Sequence, residues 1–179
     1  MLSSDESFKV GRTIDLLRQS VGDGEFGYRI QGLLAHVIMR IGGKIIDVKA
    51  QGHPDIIASL GGKTILLQVK SVHAKSRRRE FLAGADDLKG IRPHNPTTIG
   101  YLAILDCTMP PSWIMVDYEK IKRYALNPIS LVTLRAVADT QFSHECTEEF
   151  VRLITDHQSN IHSLYFHALH NRALRGEAL

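Results

Sequence analysis

A glycine pair, Gly61-Gly62, separates two short stretches rich in apolar residues, and it constrains this chain more than any other feature. The first stretch is Gly52-His53-Pro54-Asp55-Ile56-Ile57-Ala58, and the second is Leu66-Leu67-Gln68-Val69-Lys70-Ser71. Each reads as a strand, and two adjacent glycines suit a two-residue hairpin loop whose backbone needs positive φ. With such a loop the partners can be counted outward. Leu60 faces Lys63, Ser59 faces Thr64, Ile57 faces Leu66 and Asp55 faces Gln68. Side chains alternate along a strand, so Lys70 shares the side of Gln68. An acid, an amide and an amine therefore converge on one patch, with opposed Cβ atoms about 5 Å apart. The rest of the hairpin is mostly apolar, and a polar island in such a sheet is costly unless it is used.

The remainder of the chain supplies elements to pack around this hairpin. Residues 5–20 read as a helix with Ile14, Leu16 and Leu17 on one stripe, broken at Val21-Gly22-Asp23-Gly24. A second helix is expected over 25–41, where Ile30, Leu33, Leu34, Val37, Ile38 and Ile41 recur at helical spacing and Gly42-Gly43 ends it. Lys44–Val48 reads as a short strand. A polar connector covers 75–80, and a short helix fits 80–90. Strands are expected over Ile99–Asp106 and Trp113–Val116 around a Pro110-Pro111 turn. From Tyr118 the chain reads as helix in pieces, interrupted near Asn127-Pro128, with a last helical stretch from about 146 to 173. The order predicts an α/β fold, a mixed central sheet flanked by helices, in one domain spanning 1–179.

Composition narrows the partners. The net charge of +3 permits a polyanionic partner without requiring one. Cys107 and Cys146 form no spacing motif, so neither a disulfide framework nor a zinc ribbon is indicated. The first residues lack a signal-peptide pattern, and no apolar run reaches the ~18 residues of a membrane span. A cytoplasmic protein that does not engage a membrane is expected.

Asp55 after a proline, then Gln68-Val69-Lys70 on the facing strand, resembles the PD-(D/E)XK nuclease superfamily. Its QxK form is similar to the Mrr-type restriction endonucleases, and residues 52–58 with the preceding helix resemble archaeal Holliday-junction resolvases. The resemblance covers roughly 25–117 and implies a restriction-endonuclease-like core, with 118–179 as a helical extension. It implies a Mg²⁺-dependent DNA endonuclease, with Mn²⁺ able to substitute, that leaves 5′-phosphate and 3′-hydroxyl ends. Restriction or defence, homing and junction resolution all fit. It also suggests a homodimer and allows a further subunit of a defence or recombination system. The alternative is a nuclease-fold subunit that binds DNA or a partner without cutting.

The resemblance also assigns roles. Asp55, Gln68 and the main-chain carbonyl of Val69 would hold the metal, and Lys70 would serve the attacking water and the developing charge. Most members carry a glutamate where this chain has Gln68, which weakens cation binding. The superfamily often adds an acid from the preceding helix; the candidates are Glu25 and, by position, Gln31. Glu25 is equally explained as a helix-terminal acid, and Gln31 as a surface residue. The basic run Lys75, Arg77, Arg78 and Arg79 follows the second strand directly and is expected to grip the DNA backbone, against a solvated loop. Ser71 and His73 lie between the two features and could touch phosphate. Counted outward, His53 falls opposite Lys70.

Gly61-Gly62-Lys63-Thr64 imitates the end of a phosphate-binding loop. The first glycine of that motif is missing, Ile57 standing there, and the segment joins two strands, so a nucleotide site is rejected. Trp113 and Tyr101 fall on apolar strands and are expected in the core.

Overall fold

The computed structural model describes residues 4–49, 53–73, 80, 81, 83–108, 110–125 and 127–157. Helix α1 runs over Ser4–Arg40 and is two helices meeting at a kink, because Gly22 leaves helical geometry with φ 79° and ψ 165°. The break expected over four residues is thus concentrated in one. Strands β1 (Lys44–Val48), β2 (Ile56–Leu60) and β3 (Lys63–Val72) follow, then a short β4 (Glu80–Phe81) and helix α2 (Ala85–Gly90). Next come β5 (Thr98–Asp106), β6 (Ser112–Asp117), helix α3 (Tyr118–Ile121), β7 (Ile129–Ser130), α4 (Leu131–Val137) and α5 (Thr140–Asp156).

Five strands form one mixed sheet in the order β1-β2-β3-β5-β6. All neighbours are antiparallel except β3 and β5, which run parallel, with α2 in the crossover between them. This is the mixed α/β sheet between helices that the element order predicts. No helix among the described residues is long and apolar enough to cross a membrane.

The counted hairpin register is the observed one. Leu60 pairs with Lys63, Ser59 with Thr64 and Ile57 with Leu66. Gly61 and Gly62 both hold positive φ, 57° and 75°, the backbone that a primed two-residue turn demands. The start of β2 differs from expectation: the strand begins at Ile56, so His53 and Asp55 lie just ahead of it. β3 continues to Val72, well past its last β2 partner at Leu67, and among the described residues it pairs from Gln68 onward with β5 alone. The sheet therefore opens on one side of β3.

Alternation divides the core in two. Ile65, Leu67 and Val69 face α1 and α5, in a cluster with Ile30, Leu34, Ile38 and Phe150. Leu66 and Val72 face the opposite layer, with Leu88, Ile91, Leu102, Ile104 and Leu134. Gln68 and Lys70 lie in phase with this second set. Trp113 and Tyr101 are buried, as expected of strand residues.

The second half departs from the sequence reading in two places. β4 and β7 form a small antiparallel sheet, Glu80 with Ser130 and Phe81 with Ile129, in segments read as connector and interruption. Two-residue strands carry no periodicity to detect. The last described helix starts at Thr140 rather than near Cys146, because Asp139 caps it by accepting from Phe142 N at 3.0 Å. The expected continuation of that helix beyond residue 157 lies outside the described residues, as does Gly52.

Candidate active site

Asp55 is positioned by backbone bonds before any side chain is considered. Its carbonyl accepts from Lys49 N at 2.8 Å, which ties it to the end of β1. Lys49 Nζ reaches the carbonyl of His53 at 3.3 Å. The bend that carries His53 and Asp55 is thereby pinned where β2 has not yet begun to pair. Ahead of β2, the Asp55 side chain takes the place of a strand partner. Its Oδ2 accepts from Val69 N at 2.7 Å and from Gln68 Nε2 at 2.6 Å.

A carboxylate only accepts, so Gln68 presents its NH₂ to Asp55 and its carbonyl oxygen faces the other way. That oxygen lies 2.7 Å from His53 Nδ1, which must then be the donor. The counted register misplaces His53 in this respect. His53 meets Gln68 instead of Lys70, because the segment before β2 bends away from the extended path.

Lys70 does not touch Asp55. Its ammonium lies 2.9 Å from Asp87 Oδ1 on α2, and His53 Nδ1 is 3.9 Å from the same oxygen. Asp87 Oδ2 accepts from Gly84 N at 3.2 Å, closing the first turn of α2. The site is thus a connected set: Asp55, Gln68, His53, Asp87 and Lys70. Asp55, Gln68 and Asp87 are almost wholly buried.

Sequence reasoning missed Asp87. A usable signal existed in Gly84-Ala85-Asp86-Asp87, an acid at the third helical position that marks a helix start. Nothing local says that its second oxygen would meet Lys70. Two glycines permit that approach. A Cβ at Gly90 would lie 2.3 Å from His53 Cβ, and one at Gly100 would lie 1.7 Å from the Ile91 carbonyl oxygen. α2 is seated on the bend and on β5 more closely than any side chain at those positions allows.

Burial pushes the Asp55 carboxyl above its ordinary value, against the Val69 amide, the positive charge of Lys70, His53 and the Gln68 amide, which all favour ionisation. His73 moves down, chiefly through burial and secondarily through Arg18, with Asp23 and Asp15 opposing.

The other candidates fall elsewhere. Ser71 lies on the α1 side of β3, 3.4 Å from His73 Nε2, and the His73 ring packs on Phe26 at 5.3 Å between centroids. Glu25 pairs with Arg29 at 3.2 Å, one turn on. Gln31 is half-buried on the same helix. α1 packs on the face of the sheet opposite Gln68 and Lys70. Among the described residues, none of Glu25, Gln31, Ser71 and His73 hydrogen-bonds or ion-pairs with Asp55. Lys75, Arg77, Arg78 and Arg79 lie outside the described residues.

A divalent cation of the magnesium type asks for hard oxygens and keeps several waters. Both hydrogen bonds to the Asp55 carboxylate fall on Oδ2, which leaves Oδ1 for another partner. In a strand the N–H and C=O of one residue point to the same edge, so the Val69 carbonyl faces the open side beside Asp55. These two oxygens fit such an ion, with one negative charge between them. Among the described residues no group of three or more His, Cys, Asp or Glu could hold a metal. The donor set suits one weakly held, well-hydrated cation.

No protein-family model matches the chain, and no curated protein matches it. Among solved structures, that of Hjc, a Holliday junction resolvase from the archaeal hyperthermophile Archaeoglobus fulgidus, is similar. The two share 18% identity with a TM-score of 0.46, over 59% of this chain and 88% of that one.

Proposed function

We propose that this protein is a Mg²⁺-dependent DNA endonuclease that hydrolyses phosphodiester bonds at the Asp55–Gln68–Lys70 cleft. The observation that carries the reading is Asp55. A buried carboxylate sits where the central sheet opens, with Lys70 near enough to act on its charge. Its bonds from Val69 N and Gln68 do not cancel the cost of its charge, because burial, the largest influence, still disfavours the ionised form. A bound cation would repay that cost.

In this reading Asp55 Oδ1 and the Val69 carbonyl hold the ion, and Gln68 orients Asp55 through its amide. When bound, the metal supplies charge compensation at the phosphate and a more acidic water. Lys70 adds a second positive charge toward the same phosphate. The basic run Lys75, Arg77, Arg78 and Arg79 is assigned to the DNA backbone; Ser71 and His73, on the α1 side of β3, are not. Glu25 and Gln31 are given no part in the reaction. Cutting both strands of a duplex calls for two such sites, so the reading includes a homodimer.

The experiment is cleavage of plasmid and four-way branched DNA with Mg²⁺ or Mn²⁺, against EDTA. Metal-dependent product is expected, lost in Asp55→Ala and in Lys70→Ala. Cleavage that survives both substitutions would overturn the site.

One observation favours a second reading, a DNA- or partner-binding subunit without cleavage. The polar groups of the cleft satisfy one another without a metal: Gln68 is held by His53 and Asp55, and Lys70 by Asp87. That reading expects salt-sensitive DNA binding with no metal-dependent product.

A further inference from the structure

We infer that Asp87 is a positioning residue for Lys70, holding the ammonium at one point of the cleft instead of letting it swing. Its part in cleavage rests on the nuclease reading; the juxtaposition stands without it.

A lysine carries four rotatable bonds and about 2 kcal/mol of rotamer entropy, so a useful ammonium needs something to hold it. Most ion pairs on a protein surface do this poorly, because both partners move and water screens them. Asp87 differs in each respect. Its side chain is 12% exposed, and its Oδ2 is fixed by Gly84 N at 3.2 Å. Oδ1 alone is left to meet Lys70 Nζ, at 2.9 Å. The carboxylate is thereby used twice, one oxygen closing the helix and the other engaging the lysine.

The helix that carries it is also held. Gly90 lets α2 lie against His53, and Gly100 lets Ile91 lie against β5, at separations no side chain would permit. His53 then links the two ends of the cleft, 2.7 Å from Gln68 Oε1 and 3.9 Å from Asp87 Oδ1. The partners of Asp87 are Lys70, His53 and Gly84, not Asp55. Its effect passes through the lysine, which it keeps in one geometry in advance of the reaction.

Asp87→Asn separates the two uses, since an amide oxygen can still accept from Gly84 N while the charge facing Lys70 is gone. The folded protein is labelled with a limiting amount of an acetylating N-hydroxysuccinimide ester, and each lysine is quantified by peptide mass spectrometry. Lys63, exposed beside the hairpin turn, is the internal reference. In the wild type Lys70 is expected to label about fivefold more slowly than Lys63, the scale of one well-placed ion pair whose lysine is part-exposed. Asp87→Asn should remove most of that difference, and Asp87→Glu should restore part of it. Equal labelling of Lys70 and Lys63 in the wild type overturns the inference, even if the variant fails to fold. So does unchanged Lys70 labelling in a folded Asp87→Asn. In a second arm, Asp87→Asn should lower turnover about tenfold or more while DNA affinity holds or rises, because a negative charge has been removed. A wild type that does not cut DNA overturns the nuclease reading, and the labelling arm still decides the role of Asp87.

Discussion

Asp55 and Val69 are joined across the mouth of the sheet: the Val69 amide donates to Asp55 Oδ2 at 2.7 Å, beyond the last pairing between β2 and β3. A side-chain carboxylate thus occupies a hydrogen bond that a strand backbone would otherwise take. The bond keeps Asp55 in place and leaves its charge only partly compensated.

Asp55→Asn should therefore abolish cleavage and raise stability. Burial raises the folded-state value, so the native protein holds its proton more tightly than the unfolded chain. Wild-type stability then falls as pH rises from the ordinary carboxylate value through the raised one. An asparagine does not titrate. The variant should be the more stable at pH 7, by about 1 kcal/mol on the scale of relieved functional sites. The gap should close as pH falls below the ordinary carboxylate range. Urea titrations at pH 3.5 and 7 measure it, and a less stable Asp55→Asn at pH 7 would contradict the account. Mg²⁺ should raise the melting temperature of the wild type and not of the variant.

At the hairpin, Gly62→Val should destabilise by about 1–2 kcal/mol, because a β-branched residue is forced into the left-handed region. Gly61→Asn should cost little, since asparagine tolerates that region. Deleting one of the two glycines should be far worse. A one-residue slip sends the set Gln68 and Lys70 to the opposite face. Denaturation midpoints of the three variants rank them.

Gly90→Ala and Gly100→Ala probe the seating of α2. At Gly100 the added methyl meets main-chain oxygen, so a loss on the order of 3 kcal/mol, or failure to fold, is expected. At Gly90 it meets His53 Cβ, an atom the backbone fixes, with His53 Cα 3.2 Å away, so the bend itself must move. The stability loss should be about 1–3 kcal/mol, and because the bend carries His53 and Asp55, activity should fall further than stability accounts for. Melting curves read beside turnover test the difference.

Arg135 neutralises the inner end of β5. Its guanidinium lies 2.6 Å from Asp106 Oδ2 and 2.8 Å from Ser112 Oγ, while Thr108 N donates to the other Asp106 oxygen at 3.0 Å. Asp106 is buried, so Arg135→Ala should cost about 2 kcal/mol, reduced from a fully buried pair because Arg135 is half-exposed. Arg135→Lys should recover part, since one nitrogen, Nη2, makes both contacts and an ammonium can replace it, although on a stem of different length and shape. Chemical denaturation of both variants checks this.

Neither cysteine should react with a disulfide reagent in the folded protein at pH 8. Burial pushes the Cys107 thiol up to about 12 and raises that of Cys146 further, so little thiolate is present. Labelling should appear only on unfolding, which a thiol titration with and without denaturant shows.

Much of this molecule could be read along the chain, wherever neighbours in sequence are neighbours in space. Two glycines and a period of two determined which residues face one another in the β2–β3 hairpin, and placed Gln68 and Lys70 on one side. The same reasoning went astray at His53, where strand geometry stops, and found no trace of β4 and β7, which are too short to carry a period. Residues joined through packing were beyond it. Asp87 lies 17 positions after Lys70, on a six-residue helix whose placement depends on Gly90 meeting His53 and Gly100 meeting Ile91. Those contacts arise only when β5 closes in parallel beside β3. The sequence alone determined that an acid, an amide and an amine share one end of a hairpin. The tertiary structure decided which partner each holds, because a hydrogen bond needs atoms within about 3 Å and that proximity is set by how whole elements pack.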